Sequence, residues 1–226
     1  MISVKKSLSF FISILVTIIF IYALSNTMSL FFNLNNQNTR TILINLILTL
    51  GLMFFITFQG SLNKRWNKKL LLKEKVLLSA NIDKFTLSEK LWIYLLVFLI
   101  YFTPLIRDLS FKNVPLINIF MFFPSIVIFE LLLRVSKNSL KTYFTENGII
   151  VFGLDLRLYI PLGKPIDNLE GYYPYNAIDS YISCPDKIQI FIQYEQGKLV
   201  LKEDKNTINK IISVLKKNKI ETRKIS

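Results

Sequence analysis

The chain of 226 residues contains no histidine and a single cysteine, Cys184. Without histidine, the commonest general base, the usual catalytic triads and the His–Cys zinc sets are all excluded. One thiol rules out an intrachain disulfide. Glycine is scarce too: seven residues, at 51, 60, 148, 153, 163, 171 and 197, are scattered singly, so no glycine-rich loop exists to cradle a phosphate. Acidic residues are outnumbered, 15 against 28 Lys and Arg, for a formal net charge of +13. Asp155, Asp167, Glu170, Asp179 and Asp186 fall in loops or at strand ends without calcium-loop spacing, and read as solvated turn carboxylates. No nucleophile–base pair and no metal set is visible, which points away from an enzyme and from any bound cofactor.

What the chain has is apolar length. It is 52% hydrophobic, with a mean hydropathy of +0.42, too apolar for an ordinary soluble domain. Four runs of membrane-spanning length stand out: Leu8 to Leu24, Thr41 to Phe58, Leu87 to Ile106 and Val114 to Leu133. The first, preceded by Lys5 and Lys6 and followed by Ala23-Leu24-Ser25, has the outline of a signal peptide, but its length favours an uncleaved span. Aromatics near both ends of the third (Trp92 and Tyr94, Tyr101 and Phe102) suit interfacial belts. Pro104 and Pro124 are expected to kink the third and fourth.

Orientation follows from the stretch 61–90, which carries Lys64, Arg65, Lys68, Lys69, Lys73, Lys75, Lys84 and Lys90 against Glu74, Asp83 and Glu89. Short loops this basic stay on the cytoplasmic side. The two loops assigned outside hold only Arg40, Arg107 and Lys112. The expectation is a multi-pass plasma-membrane protein with both termini in the cytoplasm. Residues 1–137 form a four-span domain with the basic loop, and residues 138–226 a small β-rich α+β cytosolic domain.

Several residues are candidates for function. Lys64, Arg65, Lys68 and Lys69 directly follow the second run and are placed to meet the anionic inner leaflet. Leu70 to Leu72 with Val76 to Leu78 would then lie in the interface as an amphipathic helix, beside the plainer reading of a topogenic loop. Glu130 and Arg134, spaced i, i+4 at the inner end of the fourth run, read as an interfacial ion pair or, alternatively, an ion relay. Asn45, Gln59 and Asn118 suit hydrogen bonds between helices.

From Ser139 the texture becomes β-like. Ser139 to Thr145 alternates, Glu146-Asn147-Gly148 offers a hairpin turn in which φ > 0 is cheap, and Ile149 to Phe152 returns. Leu156 to Ile160 is a further strand candidate, followed by a loop-rich crossing punctuated by Pro161, Gly163, Pro165, Gly171 and Pro174. Ala177 to Ser183, Lys187 to Tyr194 and Leu199 to Lys202 read as strands, with Cys184 in a turn. Ile208, Ile211, Ile212 and Leu215 then recur at helical spacing over Asp204 to Asn218, giving one apolar stripe suited to closing a bent sheet.

The words Tyr143-Phe144-Thr145-Glu146-Asn147-Gly148-Ile149, Tyr175-Asn176-Ala177-Ile178-Asp179 and the close from Lys198 to Asn218 resemble the bacterial pleckstrin-homology-like domains over about Leu140 to Ile220. The resemblance implies a bent antiparallel sheet closed by a C-terminal helix, a binding module and not an active site. The basic first hairpin of lipid-binding members is not met, since Lys141 and Arg157 stand apart, so phosphoinositide binding does not carry over. Similar small basic membrane proteins look like self-immunity proteins against membrane-active bacteriocins. The expected partners are therefore the lipid bilayer and a protein or peptide, with no nucleic acid. The alternative is an accessory or core component of a transporter or channel, with the polar residues of the second and fourth runs lining a path.

Overall fold

A computed structural model describes residues 2–32, 36–108, 114–158, 167–193 and 197–223. Four long helices carry the apolar runs: α1 (Ile2–Phe31), α2 (Gln37–Leu71), α3 (Leu87–Asp108) and α4 (Leu116–Ser139). Each is long and apolar enough to cross a membrane. Their faces are inverted relative to a helix in water. On α1 the buried positions include Ser9, Ser13 and Thr17, while Phe11, Leu15, Ile18, Ile19 and Tyr22 point outward. On α4 the outward residues include Phe120, Phe123, Val127 and Leu131. Each such side chain would forfeit roughly 1.5–3 kcal/mol of transfer free energy if left in water, so this surface needs a hydrocarbon solvent. The small polar stripe of α1 lets it approach α2 closely, as between membrane helices generally. A Cβ on Gly51 of α2 would come within 2.6 Å of the Ile21 side chain.

A polar ladder ties α2, α3 and α4 together. Asn45 donates to Asn118 (2.8 Å), and Asn118 donates to the Tyr101 carbonyl (2.8 Å). The Tyr101 hydroxyl lies 2.9 Å from Thr49 and 2.8 Å from Ser125. The sequence explains why that carbonyl needs a side-chain donor. Phe102, the next residue, leaves helical geometry (φ −112, ψ 19) and interrupts the ladder there, and Pro104 removes the N–H that would serve the neighbouring Ile100 carbonyl. α4, by contrast, passes through Pro124 as one helix. Tyr101 and Phe102, expected in an outer aromatic belt, are instead buried in the bundle, because the kink turns them onto α4.

The remaining strands form two sheets. The first is the antiparallel meander β1 (Val76–Asn81), β2 (Lys141–Thr145), β3 (Gly148–Phe152), β4 (Gly171–Pro174). The second has the order β7-β6-β5-β8, from β5 (Ile178–Ser183), β6 (Lys187–Ile192), β7 (Lys198–Lys202) and β8 (Glu221–Thr222). Between β7 and β8 lies α5 (Lys205–Lys217). Its first turn is capped by Asp204, which accepts from the Thr207 N–H at 3.3 Å. Its stripe Ile208, Ile211 and Leu215 is buried. Ile82 bridges to Leu201, joining the first sheet to the second.

Three expectations change here. Val76 to Leu78 is not helical: it belongs to β1, which pairs with β2 from Val76↔Thr145 to Asn81↔Lys141. The basic loop thus donates a strand to the C-terminal sheet, and α3 and α4 are inserted between neighbouring strands of it. The β2–β3 hairpin exists, but Asn147 and Gly148 do not take φ > 0. Instead the Thr145 hydroxyl holds the turn, donating to the Gly148 carbonyl (2.9 Å) and accepting from its N–H (3.2 Å). Gly148 is required by closeness, since a Cβ would stand 2.5 Å from the Tyr173 carbonyl on β4. Finally, residues 156–158 are not a strand; Asp155 and Arg157 bend the chain there into the interior, while 159–160, with Pro161, Gly163 and Pro165, lie outside the described residues.

Bundle and sheets share one hydrophobic core, running from Phe55, Ile93 and Phe129 through Leu140 to Ile149, Ile190 and Leu201. The start of α1 lies at the same end as the sheets, since Lys6 lines a cavity with Asp155 and Glu170.

Candidate functional site

At the junction between bundle and sheets the chain buries five ionisable side chains. Arg157 is the centre, with its side chain 0% exposed. All five of its N–H donors are used. Nε and one Nη2 hydrogen go to the two oxygens of Asp155 (2.9 and 2.7 Å), and the other Nη2 hydrogen to the Asn168 carbonyl (3.0 Å). Nη1 donates to Glu89 and to the Asp167 carbonyl (2.6 Å). The Phe85 ring lies 4.4 Å from the guanidinium carbon. Burial disfavours the charge, but Asp155 and Glu89 outweigh it and hold the guanidinium above its ordinary value.

Glu89 has two tasks. One oxygen meets Arg157. The other accepts from the Thr86 N–H (2.6 Å) and hydroxyl (2.9 Å), the glutamate half of a capping box at the start of α3. Lys6 and Glu170 complete the cluster, both buried, around a cavity with room for about one water. Burial first, and then the charge of Asp155, push the Glu170 carboxyl well above the usual carboxylate range, against the pull of Lys6 and Arg157. Asn63 lines the same cavity, and neither Glu170 oxygen has a hydrogen-bond partner among the described residues.

This gives a pH dependence with a definite sign. An unfolded Glu releases its proton near pH 4.3, whereas folded Glu170 keeps it to higher pH. In that window the folded state binds more protons, so stability falls as pH rises. The melting temperature of the detergent-solubilised protein should therefore drop from about pH 5 into the neutral range, and Glu170→Gln should flatten the slope. An unchanged slope in the variant would remove Glu170 as its source.

Asp155 and Glu170 are thus not solvated turn carboxylates, because Arg157 and the membrane helices enclose them. Asp167 is half-buried, 3.8 Å from Lys198, and burial raises its carboxyl. Asp179 and Asp186 are exposed as expected. Cys184 is half-buried in the β5–β6 turn, its N–H donating to the Lys187 carbonyl (2.8 Å).

Glu130 and Arg134 do lie together, but weakly, at 3.6 Å with Arg134 71% exposed. The stronger partner is Lys90 of α3, whose ammonium reaches both Glu130 oxygens (2.9 and 3.0 Å), joined by the Tyr94 hydroxyl. This cross-helix pairing arises because the first turn of α3 stands beside the last turns of α4. Lys64, Arg65, Lys68 and Lys69 are carried on a stretch of α2 that continues the helix past its apolar run, and all four are exposed. Asn45 and Asn118 meet, as described; Gln59 lies at the junction instead, its Nε2 without a partner among the described residues.

Two open concavities stand out among the described residues. One, of about 450 Å³, lies where α3 begins and α4 ends, with Lys84, Lys90, Arg134 and Lys137 around Phe85 and Leu133. The other, of about 690 Å³, is cut into the second sheet, with Asp167, Asp179, Phe191, Lys198 and Arg223 on its walls. Arg223 sits over the Phe191 ring at 5.0 Å. Comparison with family models, curated proteins and solved structures finds no match to this chain.

Proposed function

We propose that the protein is a non-enzymatic, membrane-anchored binding protein. The four spans hold a pleckstrin-homology-like module at the inner leaflet of the plasma membrane, with both termini in the cytoplasm. The module captures a protein or peptide, and self-immunity against a membrane-active bacteriocin is the setting. The cleft in the second sheet carries this reading: it pairs an aromatic face with cations and carboxylates of both signs, the mixture that grips a peptide rather than a small metabolite. The strand succession supports the module assignment, with a four-strand meander, a three-strand meander and a closing helix in sequence order. Asn45 and Asn118 spend their amides on each other and on Tyr101, which weighs against a polar transport path through them. Anchoring raises the effective concentration of the module near membrane targets.

Two measurements test this. An impermeant maleimide should leave Cys184 unlabelled in intact cells and label it after lysis; labelling from outside overturns the sidedness. Expression in a sensitive bacterium should cut killing by at least one bacteriocin of a membrane-active panel by about tenfold or more. Phe191→Ala with Arg223→Ala should abolish that protection at equal protein level. Unchanged killing across the panel rejects the immunity setting.

A further inference from the structure

We propose that the groove between the start of α3 and the end of α4 binds the phosphate headgroup of an acidic glycerophospholipid from the surrounding leaflet. This rests only on membrane embedding, and concerns a site apart from the cleft in the second sheet. Lys84, Lys90, Arg134 and Lys137 converge on it with one carboxylate, Glu130, opposing them. That carboxylate is already engaged by Lys90 and Tyr94. Lys84 and Lys137 form no ion pair among the described residues, and Arg134 keeps most of its surface open. The groove therefore holds a surplus of cationic donors with no protein anion to meet them, which matches a phosphodiester.

Its position selects a lipid over a free phosphate. Phe85 and Leu133 line the same concavity. Directly beside it on the same two helices, Leu87, Leu91, Leu131 and Val135 are outward-facing. A headgroup seated among the cations would lay its acyl chains along this apolar surface. The volume of about 450 Å³ accommodates a phosphodiester with its glycerol. The row Lys64, Arg65, Lys68 and Lys69 is built differently: it runs along the exposed end of a single helix instead of converging from two.

The test uses the full-length protein purified in mild detergent, delipidated, and offered phosphatidylglycerol or phosphatidylcholine under native mass spectrometry. Phosphatidylglycerol should be retained in preference. Replacing Lys84, Arg134 and Lys137 together by glutamine should lower its retention by about tenfold or more, while the Lys-to-Arg changes at 84 and 137 should preserve it. Replacing Lys64, Arg65, Lys68 and Lys69 by glutamine should leave retention near wild type. A melting temperature within a few degrees of wild type shows that the triple variant is folded; if it is not, Lys84→Gln with Lys137→Gln alone must show the loss. The proposal is overturned if phosphatidylcholine is held equally well, if inorganic phosphate displaces the lipid, or if the loss follows the 64–69 variant instead.

Discussion

Arg157→Met is expected to destabilise the protein by about 3–5 kcal/mol, because removing one member of a buried ion cluster leaves the others uncompensated. The guanidinium satisfies Asp155, Glu89 and two backbone carbonyls at once. Without it Asp155 and Glu89 stand buried with their shared cation removed, and the 153–158 segment loses its tie to α3. The informative comparison is with Arg157→Met combined with Glu89→Gln and Asp155→Asn. A neutral set of similar volume avoids the desolvation cost, and such replacements are often neutral or better. The amide oxygen introduced by Glu89→Gln can still accept from Thr86, so the α3 cap survives. The triple variant should recover most of the lost stability in thermal unfolding of the detergent-solubilised protein. If the single change costs under about 1 kcal/mol, or the triple variant is worse than the single, the cluster does not hold the junction together.

The second large effect is expected at Gly60. This residue lies on α2 where the helix passes the 153–158 segment, and a Cβ there would collide with the Asp155 carbonyl oxygen and stand 3.2 Å from Leu156 Cδ2. The nearest atom is backbone, which cannot rotate aside. Gly→Ala inside a helix ordinarily gains about 1 kcal/mol from propensity. Overpacking typically costs about 1–3 kcal/mol, and here the displaced carbonyl belongs to the residue that grips Arg157. Gly60→Ala should therefore lower the melting temperature, and Gly60→Val should lower it further. Ser61→Ala, one position along and exposed, should change stability by no more than about 0.5 kcal/mol. A Gly60→Ala variant as stable as wild type would mean that α2 and this segment do not press together.

The same two sites show what a linear reading can and cannot reach. The spans announce themselves through uninterrupted apolar length, and α5 through Ile208, Ile211 and Leu215 at one-face spacing. The strands β2, β3, β5, β6 and β7 follow from local alternation and the turns between them. β1 does not. It is mostly exposed, lies in a lysine-rich stretch, and meets its partner β2 only after two membrane helices have intervened. β4 is written Gly-Tyr-Tyr-Pro and reads as loop punctuation; Pro174 is tolerated because β4 is an edge strand. The charge cluster is harder still, since Lys6, Glu89, Asp155, Arg157 and Glu170 come from four separate segments. The one local clue is Thr86-Leu87-Ser88-Glu89, the capping-box word, which locates Glu89 at a helix start but says nothing of its second partner. The groove cations are individually visible in the sequence. Their convergence depends on the pairing of α3 with α4, which hydropathy does not specify.

The insertion of α3 and α4 between β1 and β2 constrains biosynthesis. β1 leaves the ribosome before the third and fourth helices are made, and at about 5–20 residues per second several seconds pass before its hydrogen-bonding neighbour is translated. During that time Val76–Asn81 has no edge to join. The first sheet can close only once α3 and α4 have been made, so the order of synthesis places assembly of the helical part before completion of the β part.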